Sequence, residues 1–323
     1  MDINQQRRTL LSASLSLATL GAVPMVHAAT RKEPETLTVS ALDAARRPVD
    51  VVLPADPKRL AVADFATLDV LLHWGLLDRV VALPKAQTLP YLPQPFEKNN
   101  GILDIGTLKE VDLEALMASE PDVIFISGRL SRKYDALRKI APVVYLATDY
   151  ERGAFESFQG NLNVLGSIFG KQAAASAAID HYAKRLKRIR RASANKTALV
   201  GLVTSAHVNL LGGRARCSLI SQECGFHNIA GKANSNHGNE ASFELLLELD
   251  PDYLFILDRD SAIGRPGARL AQDILDNEMV RKTRAWRHNH VVYLTPSAWY
   301  LAEGGIQAMN IMLHDVEKSL GLL

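Results

Sequence analysis

Short apolar runs alternate along the chain with stretches whose apolar residues have helical spacing. Residues 113–119 show that spacing, Pro121 stops the helix, and residues 123–126 are apolar at every position. A fully apolar run is typical of a strand buried on both faces, as in a parallel sheet. Further elements are predicted in this order: strand 59–63, helix 66–74, strand 80–83, helix 132–140, strand 143–147 and strand 198–204. This alternation indicates an α/β fold built on parallel sheets.

An internal repeat with an offset of 130 residues divides the chain into two similar halves. Residues 113–129 read LEALMASEPDVIFISGR and residues 243–259 read FELLLELDPDYLFILDR, with seven of 17 positions identical. A second match pairs residues 142–149 (PVVYLATD) with residues 290–297 (HVVYLTPS). Because the two matches occur in the same order, we expect two similar parallel-sheet α/β lobes with a ligand cleft between them.

The segment between the lobes has the pattern of one long helix. Residues 155–191 hold few helix breakers, and their apolar residues recur at helical spacing. The last part is strongly basic, as suits a solvated helix C-terminus: Lys184, Arg185, Lys187, Arg188, Arg190 and Arg191. We therefore expect an N-terminal lobe over 29–153, a linking helix over 154–192 and a C-terminal lobe over 193–323.

Residues 1–28 have the pattern of a signal peptide. Arg7 and Arg8 precede an apolar stretch over 10–23 that is too short for a comfortable transmembrane helix, and residues 26–28 (VHA) suit cleavage after Ala28. The arginine pair leaves both the general secretory route and the twin-arginine route open. No cysteine stands at the cleavage point for a lipid anchor. We expect a soluble, monomeric protein exported to a periplasm.

Composition excludes several classes of function. The 323 residues include 37 Lys and Arg against 35 Asp and Glu, which is too balanced for a nucleic-acid binder. The two cysteines, Cys217 and Cys224, cannot form a four-cysteine zinc site. A helix predicted over 216–223 would separate their Cα atoms by about 10 Å, more than the roughly 7 Å that a disulfide allows. We expect both cysteines to be unbonded and partly buried.

The sequence shows no nucleophile elbow, P-loop or HExxH motif. Asp64 and Asp258 end apolar strands, but no base–nucleophile set accompanies them. Three histidines are isolated and have the pattern of ordinary helix or strand residues: His73, His181 and His207. We therefore expect a binding protein rather than an enzyme, and a periplasmic enzyme is only a remote alternative. A zinc carrier would need more clustered histidines.

Two arginines follow equivalent strands of the repeat, at the strand ends where parallel sheets bind ligands. These are Arg129 and Arg259, and residues 212–216 (GGRAR) would add a further arginine at the cleft rim. Arginine suits an anionic or aromatic ligand because it stays charged and stacks on rings. His237 and Tyr300 lie in segments predicted at the same cleft. Together they would offer an imidazole and a phenolate to Fe(III), with the remaining ligands supplied by a chelator.

The chain resembles the substrate-binding proteins of iron–siderophore ABC importers, and most closely their catecholate, enterobactin-type branch. The resemblance covers residues 38–320 and rests on PDVIFISGRLSRKYDALRKIAPVVYL, NHGNEASFELLLELDPDYLFILDRD, QDILDN and VVYLTPSAWYLAEGG. It implies that three arginines surround the anionic catecholates: Arg129, Arg259 and either Arg216 or Arg214. The iron would then be part of the transported ligand, and no permanent cofactor is expected.

The resemblance also implies that His237 and Tyr300 coordinate the iron directly. Fe(III) held by two or three catecholates is an anion, which an arginine cluster neutralises. A tris-catecholate fills the coordination sphere of the iron, whereas a bis-catecholate leaves two positions open. The histidine–tyrosine pair therefore favours a tetradentate bis-catecholate. A carrier of another iron chelate, of haem or of cobalamin is the alternative.

Glu114 and Glu244 occupy equivalent positions in the repeat, each at the start of the helix before the Pro-Asp turn. The helix dipole alone explains one such carboxylate. In the family that the chain resembles, glutamates at these positions dock onto arginines of the two permease subunits. Their matched placement fits a partner with twofold symmetry. The expected protein partner is therefore an ABC permease dimer in the inner membrane.

Overall fold

The computed structural model describes residues 35–231 and 239–323, which form two α/β lobes and a helical connection between them. The predicted signal peptide over 1–28 and the predicted iron ligand His237 lie outside the described residues. Within the described ranges, no helix is long and apolar enough to cross a membrane.

The N-terminal lobe is built on a five-stranded parallel sheet with an antiparallel hairpin before it. Its elements are, in chain order, β1 (Thr36–Leu42), β2 (Pro48–Pro54), β3 (Leu60–Ala63), α1 (Phe65–His73), β4 (Val80–Leu83), β5 (Leu103–Asp104), α2 (Leu113–Ala118), β6 (Val123–Ile126), α3 (Tyr134–Leu137) and β7 (Val143–Tyr145). The sheet order is β5-β4-β3-β6-β7, and β1 pairs with β2. The helix predicted over 132–140 is shorter, because the chain first forms a 3-10 turn over Gly128–Lys133.

The connection between the lobes is a pair of antiparallel helices, so the single helix predicted over 154–192 is corrected. Helices α4 (Ala154–Phe169) and α5 (Gln172–Ala192) are separated at Gly170, whose φ of 63° ends α4 in the left-handed conformation. The rings of Phe158 and Tyr182, at similar distances from this turn, meet edge to face at 5.8 Å. The two helices therefore fold back on one another.

The C-terminal lobe contains a mixed sheet. Its elements are β8 (Thr197–Thr204), β9 (His207–Leu210), α6 (Leu219–Gln222), β10 (His227–Asn228), β11 (Asn239–Ala241), α7 (Phe243–Leu249), β12 (Tyr253–Asp258), α8 (Arg259–Ala262), α9 (Ala271–Leu275), α10 (Glu278–Arg281), α11 (Arg284–Arg287), β13 (Val291–Tyr293) and α12 (Ile306–Ser319). Strands β8, β12 and β13 are parallel, and β10 runs parallel to β8. The prediction of an all-parallel sheet is wrong at one edge, where β9 runs antiparallel to β8 and β11 runs antiparallel to β9. Ser205 and Ala206 both have positive φ, which makes the tight turn between β8 and β9.

The internal repeat corresponds to equivalent positions in the two sheets. Strand β6 lies between β3 and β7, and β12 lies between β8 and β13. Each is preceded by the helix that the repeat predicts, α2 or α7. Along β6, Val123 and Phe125 face one buried cluster, whereas Ile124 and Ile126 face another. The predicted fold class, α/β lobes with helices on both sheet faces, is confirmed.

Both cysteines are unbonded, as predicted, and both are buried. The helix predicted over 216–223 is shorter than expected, since only Leu219–Gln222 is α-helical. Cys217 has a φ of 64°, which a right-handed helix does not allow. Burial raises the pKa of both thiols above the usual value.

The basic end of α5 is partly a structural contact rather than a solvated face. Arg185 donates to both carboxylate oxygens of Glu317 on α12, at 3.1 and 2.6 Å, and Arg188 donates to one of them at 2.8 Å. Glu317 is buried. Arginines that the sequence placed in solvent therefore bind α5 to the last helix.

A buried carboxylate links the first helix of the N-terminal lobe to α12. Asp69 on α1 accepts hydrogen bonds from the backbone N–H groups of Gln307 at 2.7 Å and Ala308 at 2.9 Å. Gly305 leaves room for this contact, because a Cβ there would lie 2.5 Å from Asp69 Cγ. The largest buried cluster likewise draws residues from both lobes, among them Leu60 and Leu257. The lobes therefore share one core.

Candidate functional site

Tyr300 lies in a π-helical turn, Ser297–Leu301, that follows β13. Asp315 on α12 fixes this turn by accepting hydrogen bonds from Thr295 N at 2.8 Å and from Trp299 Nε1 at 2.9 Å. Only 5% of Tyr300 is exposed. The phenol ring is therefore held in place before any ligand binds.

Three arginines from three different segments surround the Tyr300 ring. Their Cζ atoms lie 5.6 Å (Arg129), 4.5 Å (Arg216) and 5.8 Å (Arg259) from the ring centroid. Arg129 belongs to the 3-10 turn after β6, and Arg259 begins α8 directly after β12. The two equivalent strand ends of the repeat therefore bring their arginines together at one tyrosine.

Each end of Tyr300 has its own arginine contacts. Arg259 Nε donates to the phenol oxygen at 3.0 Å. Arg129 Nη2 donates to the backbone oxygen of Tyr300 at 2.6 Å, and Arg216 Nη1 lies 3.4 Å from the same atom. The phenol oxygen therefore belongs to the Arg259 side of the site, and the backbone oxygen belongs to the Arg129–Arg216 side.

The arginines change the acidity of Tyr300. Burial alone would raise the pKa of the phenol, but the charge of Arg216, the hydrogen bond from Arg259 and the charge of Arg129 outweigh it. The pKa of Tyr300 is therefore below its ordinary value. A phenol that loses its proton more easily is a better oxygen ligand for a hard cation.

The structure separates the two arginines of the glycine loop. Arg216 lies against the Tyr300 ring and has a largely buried side chain. Arg214 is 67% exposed and forms an ion pair with Glu151 at 2.8 Å. Only Arg216 joins the cluster, which we call the arginine–tyrosine cluster: Arg129, Arg216, Arg259 and Tyr300.

Two cavities meet at this cluster. The first has a volume of about 330 Å³, and its polar lining comes from both lobes: Arg46, Asp64, Ser127, Arg129, Thr148, Tyr150, Asn161, Arg216, Tyr300 and Glu303. The second has a volume of about 320 Å³ and is lined by Gln87, Thr107, Leu108, Lys109, Glu110, Arg129, Arg259, Ile263, Tyr300 and Leu301. Arg129, Tyr300 and Leu301 belong to both. A ligand larger than either cavity would therefore contact the cluster from two sides.

Sequence reasoning missed an acidic residue of the first cavity. Glu303 Oε2 accepts a hydrogen bond from Tyr150 OH at 2.6 Å and lies 4.0 Å from Arg216 Nη1. Burial raises the pKa of Glu303, although Arg216 and the Tyr150 hydrogen bond act in the opposite direction. The only signal in the sequence was a charged residue directly after WYLA, and such a residue ordinarily indicates a surface.

Four acidic residues considered from the sequence lie outside the arginine–tyrosine cluster. Asp64 caps α1 through Thr67 N at 2.9 Å, and Asp258 caps α8 through Ser261 N at 2.9 Å, so both carboxylates have structural roles. Glu114 and Glu244 are exposed in the first turns of α2 and α7. No group of three or more His, Cys, Asp or Glu residues capable of holding a metal occurs in the described ranges.

Comparison with known proteins places the chain in a family. The family model described as "Periplasmic binding protein" matches residues 60–298. The petrobactin-binding protein YclQ of Bacillus subtilis is 34% identical over 278 residues, covering 83% of this chain and 84% of that protein. The ferric-anguibactin-binding protein FatB of Vibrio anguillarum is 24% identical, again covering 83% of this chain and 84% of its own length.

A solved structure gives the same result. The periplasmic catecholate-siderophore binding protein VctP from Vibrio cholerae superposes with a TM-score of 0.80 at 28% identity, covering 87% of this chain and 100% of that chain. The two-lobed fold and the long matched segment agree with the resemblance drawn from the sequence, and the matched family consists of binding proteins rather than enzymes. The chain belongs to the periplasmic binding protein family.

Proposed function

We propose that the protein captures a ferric catecholate siderophore in the periplasm and delivers it to an ABC importer in the inner membrane. The observation that carries the proposal is the arginine–tyrosine cluster, in which three guanidinium groups lie within 6 Å of one buried tyrosine ring. Such a cluster neutralises an anionic complex, and planar guanidinium groups stack on aromatic catecholate rings. The similar proteins bind petrobactin, ferric anguibactin or catecholate siderophores, which supports a ferric siderophore as the ligand here.

The ligand we propose is a tetradentate bis-catecholate. Tyr300, with its lowered pKa, would supply one oxygen to the iron. The bond from Arg259 Nε uses one lone pair of that oxygen and leaves another for the metal. His237 would supply the second protein ligand, on the strength of the sequence motif alone. The iron in this account is cargo.

A titration of the mature protein with ferric bis-catecholate, followed by tryptophan fluorescence quenching, tests the proposed ligand class. We expect saturable quenching with the bis-catecholate and weaker binding of ferric hydroxamate, haem and cobalamin, since their metal centres carry less negative charge than a ferric bis-catecholate. Equal or tighter binding of one of those three ligands would assign the cleft to that ligand instead.

Delivery is proposed to use Glu114 and Glu244 as docking points for the two permease subunits. Both carboxylates are exposed and occupy equivalent places in the repeat. Replacing both by alanine should abolish iron uptake while leaving the affinity in solution unchanged. Glu248→Ala, another exposed carboxylate on α7, is the matched control. Normal uptake by the double variant would rule out an essential docking role.

A further inference from the structure

Two histidines lie side by side at the edge of the C-terminal lobe that faces away from the cleft. His288 follows α11 and His290 precedes β13, and their ring centroids are 5.9 Å apart. Strands β12 and β13 are parallel, so the start of β13 lies at the sheet edge opposite the strand end that carries Arg259. The six residues of β12 span about 20 Å between these two edges. The histidine pair is therefore separate from the arginine–tyrosine cluster.

A sharp turn at Asn289 brings the two rings together. In a continued helix, residues two positions apart do not face each other. The φ of Asn289 is 59°, which ends α11 in the left-handed conformation. Asn289 N then donates to Trp286 O at 3.1 Å, and His290 N donates to Ala285 O at 2.7 Å. These two bonds form a Schellman motif, so the backbone fixes the position of His290 relative to His288.

A backbone carbonyl group determines which nitrogen of each ring carries the hydrogen. His288 Nδ1 lies 3.0 Å from Arg284 O, and His290 Nδ1 lies 3.1 Å from Asp252 O. A carbonyl oxygen only accepts hydrogen bonds, so Nδ1 is the donor in both rings. The lone pair of each neutral ring is then on Nε2. Histidines that bind metal ions are commonly oriented by such a bond from the other ring nitrogen.

Both Nε2 atoms are available to a ligand. Within the described ranges, neither atom forms a hydrogen bond, and His290 Nε2 is not among the buried polar atoms that lack a partner. His288 is an exposed residue. The ring of His290 stacks on that of Tyr253, with centroids 4.2 Å apart and 5° between the planes. Because this ring is already held in place, binding an ion costs less side-chain entropy.

The spacing of the two rings suits a single metal ion. With metal–nitrogen bonds of about 2.1 Å, the centroids of two imidazoles on one ion lie about 4.6 to 6.5 Å apart, depending on the angle at the ion. The observed 5.9 Å falls within that range. The positive charge of Arg284, whose carbonyl group holds His288, is paired with two carboxylates. Its Nε lies 3.0 Å from Asp250 Oδ2, and its Nη1 lies 2.8 Å from Asp252 Oδ1. These ion pairs reduce its repulsion of a bound cation.

We propose that His288 and His290 form a binding site for a divalent transition-metal ion, with both Nε2 atoms as ligands and water in the remaining positions. Imidazole nitrogen suits Cu²⁺, Ni²⁺ and Zn²⁺, whereas Mg²⁺ prefers oxygen ligands, and Cu²⁺ binds most tightly in the series. The site goes beyond the proposed function, because it takes an ion without a siderophore at the edge of the lobe opposite the cleft.

Calorimetric titration of the mature protein, without a histidine tag, with Cu²⁺ tests the site. We expect His288→Ala to weaken binding of the first equivalent of Cu²⁺ at least about tenfold, because the ion loses one of its two protein ligands. His314→Ala removes an exposed histidine on α12 and is the matched control, which should bind as the wild type does. Electron paramagnetic resonance of the Cu²⁺ complex should show one fewer nitrogen ligand in His288→Ala than in the wild type.

Equal Cu²⁺ affinity and an equal number of nitrogen ligands in the wild type and His288→Ala would overturn the site. Displacement of the Cu²⁺ by an equal concentration of Mg²⁺ would also overturn it, because it would indicate oxygen ligands instead of imidazoles. His288 is exposed, so its substitution leaves the packing of the lobe intact, whereas His290→Ala would also remove the ring that stacks on Tyr253. The titration contains no siderophore, and its result is therefore independent of the proposed function.

Discussion

At the scale of single residues, the chemistry of the site depends on neighbours that are distant in sequence. Tyr300 is buried, which by itself would make its phenol a poor acid, yet Arg216, Arg259 and Arg129 lower its pKa. Arg129 and Arg259 were predictable because each follows a repeated strand. The sequence could not decide which of Arg214 and Arg216 belongs to the site. They are the same residue type in the same loop and differ only in where their side chains lie.

Substitution of the two loop arginines should have unequal effects. Arg216→Gln removes a buried charge from the arginine–tyrosine cluster, so we expect at least a tenfold loss of affinity for ferric bis-catecholate, corresponding to about 1.4 kcal/mol or more. Arg214→Gln removes an exposed ion pair with Glu151 and should change affinity by less than about twofold. Titration by fluorescence quenching measures both, and the opposite ranking would place Arg214 in the site.

At the scale of elements, the fully apolar strands were the most predictable parts. Strands β4 and β6 begin and end where the pattern placed them, because each is buried on both faces. The β8–β9 hairpin was missed, since its turn uses Ser205 and Ala206 in place of the usual glycine or asparagine. The break between α4 and α5 was missed because Gly170 is a single residue in a long helical pattern.

The contact between α1 and α12 gives the protein a stability that depends on pH. Burial raises the pKa of Asp69 from 3.8 to about 6, so the folded state binds its proton more tightly than the unfolded chain does. Protonation of Asp69 therefore adds about 3 kcal/mol to the free energy of unfolding below about pH 4. This stabilisation is lost as the pH rises through about 6. Asp69→Asn has no such titration. The unfolding free energy of the wild type minus that of the variant should therefore fall between about pH 4 and pH 7 in urea denaturation.

Asp56→Asn is the control for that measurement. Hydrogen bonds from Lys58 and Arg79 lower the pKa of the exposed Asp56. For Asp56→Asn, the unfolding free energy of the wild type minus that of the variant should therefore rise with pH. A difference for Asp69→Asn that is constant, or that rises with pH, would show that its carboxyl is not held in the protonated form by burial.

At the scale of the whole molecule, the two lobes are joined by more than one link. The helices α4 and α5, the buried cluster shared by both lobes, and the bonds from Asp69 to the start of α12 all act across the molecule. The repeat in the sequence predicted two similar lobes. It could not predict this shared core, because cores depend on which surfaces meet in three dimensions.

These links predict that the lobes move little when ligand binds. The radius of gyration measured by small-angle X-ray scattering should be the same, within error, for the ligand-free and ligand-bound protein. Asp69→Ala, which removes the bonds to Gln307 and Ala308, should allow a larger difference. A marked decrease on ligand binding in the wild type would indicate a wide hinge and contradict the account.

The visible spectrum of the complex with ferric bis-catecholate tests the central claim most directly, which is that Tyr300 binds the iron through its phenol oxygen. A phenolate ligand adds to the charge-transfer absorption of the iron. We therefore expect the band to shift on binding and the shift to disappear in Tyr300→Phe. Tyr293→Phe, a partly buried tyrosine on β13, should leave the shift unchanged. An identical band in the wild type and in Tyr300→Phe would contradict direct coordination and assign recognition of the siderophore to the arginines alone.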